Sequence, residues 1–400
     1  MFPKFFEVLP CANVISQTYK YVLFCFVLAI STQGCKKTIV TASDLGSPTK
    51  RPLIPKWKTN VVPIIDSHVH ITPLEPVLQF AHNIFSRVNV VKFAVKSAGI
   101  PGEPRFEATV EAANVFGENM AFFSNIDWED VDNPRWAKRE ADRLEYAVKK
   151  GASGIKIFKA LGLGVRLENG ELLKVDDPRL YPIFERAGKV GAIVAWHVAD
   201  PVAFFKPVDK NNERFDELSM AEDWSFFGKD YPSHDELLAA RDRVLKRFPN
   251  TTFLGIHLAN YPENLDYVAN LLDTCPNLYV DTSARLPEIG RHPVEKTRNF
   301  FIKYQDRILF GSDFIVSVDG MQLGSVSKNP PTFDDAIDFY VAHRHFFESA
   351  DKQIDHPTPI QGNWKINGID LPPQVLNKIY YENADKLIFA KRRQWLEKAK

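Results

Sequence analysis

Cysteine is scarce in this chain: four in 400 residues, at positions 11, 25, 35 and 275. Three crowd the N-terminal segment and one remains for the body, so no disulfide framework holds the fold. Net charge is also absent. Fifty Lys and Arg balance fifty Asp and Glu, and no basic block interrupts the balance. Such a chain offers no field to track a phosphate backbone, which argues against nucleic acid as a partner. Long apolar runs are missing too. The main hydrophobic stretch, Tyr21 to Ile30, has ten residues, where a spanning helix needs roughly 20. No internal repeat and no low-complexity tract is visible. What remains is an ordinary globular composition, 45% hydrophobic, long enough for two or three domains or for one α/β barrel.

Lys20 ahead of the apolar run and the small residues Ser31 to Cys35 behind it give residues 1–35 the form of an export signal. Thr32-Gln33-Gly34-Cys35 resembles a bacterial lipobox, in which Cys35 becomes the lipid-carrying first residue; Thr32 stands where leucine is usual. Plain secretion is the alternative. Residues 36–60, rich in Lys, Thr, Ser and Pro, read as a tether. The expected location is therefore outside the cytoplasm, on a membrane through a lipid anchor at Cys35, facing the periplasm or the cell exterior. The body spans 61–392, and 393–400 is a C-terminal tail.

From residue 61 short apolar, β-branched runs alternate with patterns of helical period, as in a parallel sheet with crossover helices. Eight strands are expected: Val61 to Ile65, Val90 to Val95, Met120 to Asn125, Gly154 to Phe158, Ala192 to His197, Thr252 to His257, Asn277 to Asp281 and Arg307 to Gly311. Proline after Asn133 and after Asp177, and the capping box Ser233-x-x-Glu236, mark helix starts. Eight such units favour a TIM-type (β/α)8 barrel over a doubly wound open sheet. Two stretches, 199–232 after strand five and 314–371 after strand eight, exceed the simple unit. Both leave strand C-termini, the face on which barrel sites are built, so they are expected as lids or pocket walls.

The chemistry sits at the same strand ends. Asp66-Ser67-His68-Val69-His70 carries an apolar strand into two histidines that alternation places on one face. Two imidazoles converging on one point suit a divalent transition metal. His197 ends strand five, His257 ends strand six and Asp313 follows strand eight, each closing a nearly pure apolar run. Lys156 lies on strand four, and Arg285 follows strand seven, where it could bind a substrate carboxylate or form a loop salt bridge. His343-x-His345 lies within 314–371 and could reach the mouth.

On these residues the sequence resembles the amidohydrolase superfamily, most closely its amidohydrolase-2 branch of metal-dependent hydrolases and decarboxylases on a distorted (β/α)8 barrel. The Asp-x-His-x-His opening, Gly154 to Phe158, His197, His257, Gly311-Ser312-Asp313 and the closing Ile379 to Ala384 carry the resemblance. It implies that His68, His70, His197 and Asp313 hold the metal, that Asp313 also moves protons, and that His257 is catalytic. Zinc is the first expectation, with Mn, Fe or Co as alternatives. A second metal requires a carboxylated, bridging Lys156; otherwise that lysine binds substrate or is structural. By parity Asp66 shares the histidine face, with an orienting hydrogen bond expected of it rather than ligation.

The leading reading is a metal-dependent hydrolase attacking a C–N or C–O bond of a small polar substrate with metal-activated water. A non-oxidative decarboxylase of the same branch is the alternative, and a lipid-anchored ligand-binding barrel without turnover is the third. Barrels of this kind often pair, which leaves a homodimer open. Replacing Cys35 with Ser is expected to release the protein from the membrane fraction; unchanged membrane retention would end the lipoprotein reading.

Overall fold

The computed structural model describes residues 62–399. The export signal, Cys35 and the tether lie outside them. Eight strands pair in parallel and in chain order: β1 (Ile64–Ile71), β2 (Val90–Val95), β3 (Met120–Asn125), β4 (Gly154–Ile157), β5 (Ile193–Trp196), β6 (Thr252–Gly255), β7 (Leu278–Asp281) and β8 (Ile308–Leu309). β1 begins after Pro63, which has no N–H to give a ladder, and runs on through both histidines to Ile71. β6 stops two residues short of His257.

Helices connect successive strands and bury one face each. Trp136–Lys149 turns Trp136, Ala141, Leu144 and Ala147 inward. It starts later than Asn133 because the Asn133 side chain accepts the Arg135 N–H in a local turn. Helix His234–Arg247 carries the expected capping box of Ser233 and Glu236.

The eighth strand is divided. Ile308–Leu309 pairs with β7, and after Phe310–Asp313 the chain resumes as β9 (Phe314–Ser317), parallel to β1, then folds back as β10 (Gly320–Leu323). Between the two pieces the Ser67 N–H donates to the Phe310 carbonyl at 3.0 Å and the Asp313 N–H to the His68 carbonyl at 2.9 Å. These bonds and the β1–β9 ladder join the last strand to the first and close the ring. The stretch 314–371, expected to be an insertion, therefore opens with a barrel strand. Much of the rest is the helix Phe333–Glu348, whose Tyr340 packs on Phe85 and Phe314 in the outer layer. His343 is buried on that helix with its Nδ1 2.7 Å from the Phe339 carbonyl, and His345 pairs with Asp351, so neither reaches the mouth.

Inside the ring a second core gathers Ile65, Ala94, Phe123, Ala195, Leu254 and Leu309 with Ala384, Ile388 and Phe389. Small residues on some strands leave room for the large ones on others and for the C-terminal segment that fills the floor. That segment is pinned by Lys92 to Asp385 at 2.9 Å and by Asn383, which donates to the Gln305 and Ile308 carbonyls. Residues 393–399, expected as a tail, form the second half of helix Ala390–Ala399, which docks through Trp395 to the Lys149 carbonyl and Arg393 to Asp385.

Burial lowers the pKa of His343 to about 4. The folded chain keeps this ring neutral where the unfolded chain takes up a proton, so its contribution is present above pH 6.5 and lost as pH falls towards 4. Urea unfolding is expected to show declining stability across that window. His343→Leu should decline less steeply, and equal slopes would refute the assignment.

Candidate metal centre

The register of β1 against β2 shifts between Ile64 and Ile65 and again between Asp66 and Val69. Ile65 consequently faces the barrel interior, and Asp66 leaves the face that parity assigned to it. Its carboxylate turns to the crossing of strand eight, accepting the His68 N–H at 3.0 Å, the Ser312 N–H at 3.1 Å, the Tyr340 hydroxyl at 2.8 Å and the Ser312 hydroxyl. Burial raises its pKa to about 7 against those hydrogen bonds. Asp66 orients its neighbours and takes no part in the histidine cluster. Gly311 permits the same crossing: a Cβ there would stand 3.0 Å from that of His68.

His68, His70 and Asp313 come together. The two Nε2 atoms are 3.3 Å apart, and Asp313 Oδ1 lies 3.4 Å from each. Two ligands about 2.0–2.1 Å from one tetrahedral ion stand about 3.3–3.4 Å apart, so the spacing fits a shared cation. The protonation states fit as well. Burial, reinforced by Lys156, lowers the pKa of His68 to about 3, and burial lowers that of His70. Burial would raise Asp313, but His68, His70 and His257 hold it well below the usual carboxylate range. Neutral imidazoles and an anionic oxygen are the states a metal needs. His68 is fully buried, whereas the His70 and Asp313 side chains are 14% and 17% exposed, so the cluster opens to solvent on their side.

Asp281, at the end of β7, fixes the inner histidine. Its Oδ2 lies 3.0 Å from His68 Nδ1, and its Oδ1 accepts from the His257 N–H at 2.9 Å and the Ser283 hydroxyl at 2.6 Å. A proton on His68 Nδ1 leaves the Nε2 lone pair directed at His70 and Asp313, the carboxylate–histidine arrangement common behind metal ligands. His68, His257 and Asp281 also lie close enough to hold an ion, but these internal hydrogen bonds already occupy them.

The remaining expected residues surround this cluster. Lys156 Nζ lies 3.3 Å from His68 Nε2. His197 is adjacent but not in the cluster: its Nε2 is 3.1 Å from Asp200 Oδ1, and its ring is edge-on to His257 at 4.5 Å. Arg285 is buried, with Nη1 on the Ala284 carbonyl at 2.8 Å, Nη2 3.8 Å from Asp200, and Nε without a partner among the described residues.

His257 is set by its backbone. Residues 257–260 are all left-handed, with φ between 53° and 56°, a single turn that costs about 1–2 kcal/mol per residue. The Asp281 carboxylate on the His257 N–H and Asn260 Oδ1 on the Val198 N–H hold it in place. His257 Nδ1 meets the Ser283 carbonyl at 2.9 Å. A carbonyl can only accept, so Nδ1 carries the hydrogen and Nε2 the lone pair. In this tautomer His257 Nε2 is a hydrogen-bond acceptor.

Sequence reasoning passed over Asp281, Ser283, Asp200 and Lys96. Asp281 and Lys96 each follow an apolar strand, the same signal that marked His197 and His257; Asp200 and Ser283 carry none. Lys96 is fully buried, its ammonium 3.3 Å from the Phe123 ring centroid and without a hydrogen-bond partner among the described residues. Burial drives its pKa well below the ordinary lysine value. An unsatisfied buried amine costs about 1–3 kcal/mol. Lys96→Met, similar in volume, is expected to raise the melting temperature; a fall of several degrees would show that the amine is satisfied.

A search of curated proteins finds no match. Among solved structures, the chain is similar to 2,6-dihydroxybenzoate decarboxylase complexed with 2,6-dihydroxybenzoate, at 14% identity over 82% of this chain and 100% of that one, TM-score 0.46. It is similar to 5-carboxyvanillate decarboxylase of Novosphingobium aromaticivorans complexed with manganese and 4-hydroxy-3-methoxy-5-nitrobenzoic acid, at 14% identity over 84% and 99%, TM-score 0.47. The 4-oxalomesaconate hydratase of Rhodopseudomonas palustris matches at 14% identity over 84% and 98%, TM-score 0.45. The amidohydrolase family model Amidohydro_2 matches residues 65–389, from the strand that carries His68 and His70 to the floor of the barrel, and the chain belongs to that family.

Proposed function

We propose that the protein is a metal-dependent hydrolase that cleaves a C–N or C–O bond in a small polar substrate. One divalent transition metal, zinc in the first instance, is held by His68, His70, His197 and Asp313. The observation that carries this reading is the convergence of His68 Nε2, His70 Nε2 and Asp313 Oδ1 within 3.4 Å, all in the protonation states of ligands. When bound, the ion supplies a Lewis acid and lowers the pKa of a water towards neutrality.

The chain's own groups supply the proton handling. Asp313, ionised and partly exposed, accepts a proton and passes it to the leaving group. His257 offers the Nε2 lone pair as a second base, held in that tautomer by Ser283. Asp281 keeps the His68 proton on Nδ1, and Lys156 Nζ, beside His68 Nε2, presents positive charge to an anionic oxygen. The reading includes a location outside the cytoplasm with a tether through Cys35, which the apolar run Tyr21 to Ile30 and the lipobox-like Thr32 to Cys35 support.

A decarboxylase is the second reading. It is favoured by Arg285, buried with its Nε lacking a hydrogen-bond partner among the described residues, because a substrate carboxylate would pair with that guanidinium. Carbon dioxide among the products would decide for it.

Elemental mass spectrometry of the purified chain is expected to find near one transition metal per chain. Near two would make Lys156 a carboxylated bridge, and none after metal addition would bring the ligand-binding reading forward. His197→Ala should lose metal and activity together, whereas His257→Ala should keep the metal and lose turnover. Equal metal retention in both variants would overturn these roles.

A further inference from the structure

The segment 199–232 leaves β5 and returns at helix His234–Arg247. Its aromatic residues line one side of a cation. The Lys159 ammonium, two residues beyond β4, lies 4.7 Å from the Trp224 ring centroid and 5.9 Å from those of Phe204 and Phe226. Trp224 stacks on Phe204 at 6.1 Å, and the Phe226 N–H donates to the Phe204 carbonyl at 2.9 Å. The three rings form one unit.

The same ammonium lies 2.5 Å from Asp200 Oδ2. The other oxygen of that buried carboxylate faces His197 Nε2 at 3.1 Å and Arg285 Nη2 at 3.8 Å. One continuous path of contacts thus runs from the aromatic segment through Lys159 and Asp200 to His197. A cation against the rings without the carboxylate would be a packing device, and an isolated ion pair would leave the rings unexplained. Together they fix a flexible lysine at both of its functions, attraction to the ring faces and pairing with a buried anion.

We propose that Lys159 is a positioning residue: through Asp200 it makes the orientation of the His197 ring depend on the folded 199–232 segment. The proposal rests on the reading in which His197 serves the metal centre. Asp200 accepts the Nε2 hydrogen of His197 and leaves the lone pair on Nδ1, which fixes tautomer and ring plane together. Without Lys159, the nearest remaining cation is Arg285. Asp200 Oδ2 then loses its contact, and the carboxylate, held only through the Oδ1 that His197 and Arg285 share, no longer fixes the imidazole in one plane. The backbone beneath stays in place, because the Val198 N–H donates to Asn260 Oδ1 at 3.1 Å and the His197 N–H donates to the Ile157 carbonyl at 3.0 Å. The effect of the lysine is therefore confined to the ring.

The test uses the full chain with 15N-labelled histidine and four variants: Lys159→Met, Lys159→Arg, Trp224→Leu, and Phe227→Ser as an exposed control in the same segment. Zinc affinity is measured by chelator competition and the His197 ring nitrogens by NMR, with circular dichroism to verify folding. Lys159→Met and Trp224→Leu are expected to weaken zinc binding about 10-fold and to move the His197 nitrogens from one tautomer to a mixture. Lys159→Arg should recover most of both, since guanidinium keeps the charge and stacks on aromatic faces. Phe227→Ser should change neither. His197 nitrogens in Lys159→Met that coincide with the parent chain would overturn the proposal. If they move as expected while no chain binds metal, the coupling stands and the metal-dependent reading falls. Unchanged nitrogens with equal zinc affinity in every chain give the reverse result.

Discussion

The Asp66 carboxylate joins the first barrel strand to the last by accepting the backbone N–H groups of His68 and Ser312. His68 and Asp313 are far apart in sequence, and the candidate metal site that they form is assembled only where the ring closes. A carboxylate with four donors, in the apolar setting of Tyr340, Phe85 and Phe314, locates that closure more sharply than the hydrophobic pattern of either strand could. The bulge in β1 that frees Asp66 for this task also returns His68 and His70 to the interior face.

Strain collects around the same mouth. Ala199 after β5, residues 257–260 after β6, Ala284 after β7 and Asp313 after β8 all have positive φ. Each such residue costs of order 1–3 kcal/mol and persists only where the surroundings fix it. Here Asp281, Asn260 and the His68 carbonyl provide the fixing bonds. The effect is to turn side chains at the strand ends towards a common centre, which straight strands with strict alternation would not do. Away from this zone the ladders are short and parallel and the connecting helices bury single stripes, although the C-terminal segment on the floor widens to π-helix at Lys378–Glu382 and Asp385–Phe389.

The segment after β5 contributes to this centre from a distance. Arg214, fully buried, pairs with Glu217 at 2.7 Å and with Glu288 of the short helix Leu286–Gly290 that follows β7, and Ser325 bonds to Glu217. The segment is thus tied to the rim of the barrel by charges that would be costly to separate in a dry interior. Its aromatic cluster beside Lys159 then has a defined position relative to Asp200. Of the two stretches expected to wall the mouth, this one reaches His197 through Asp200, while the other supplies β9, β10 and an outer helix and also meets the rim, where Ser325 bonds to Glu217 and Trp364 donates to the Pro287 carbonyl.

The sequence by itself determined the eight parallel strands and the chemistry available at their ends. An apolar β-branched run that stops at His197, Asp281 or Asp313 is a local pattern, readable because burial and strand period act over a few residues. It also brought out candidate donors that the fold gathers into one cluster, two imidazoles from one strand and a carboxylate from another. Only the tertiary structure decided which of these groups meet and in which state. Asp66 was misplaced by parity because a bulge shifts the side-chain period by one, and a bulge is set by the partner strand. The lone pair on His257 depends on the Ser283 carbonyl, and the partner of His197 depends on Asp200 being anchored by Lys159 from just beyond β4. Such states follow from hydrogen bonds between residues brought together by ring closure, whereas period and composition register only the burial of each run.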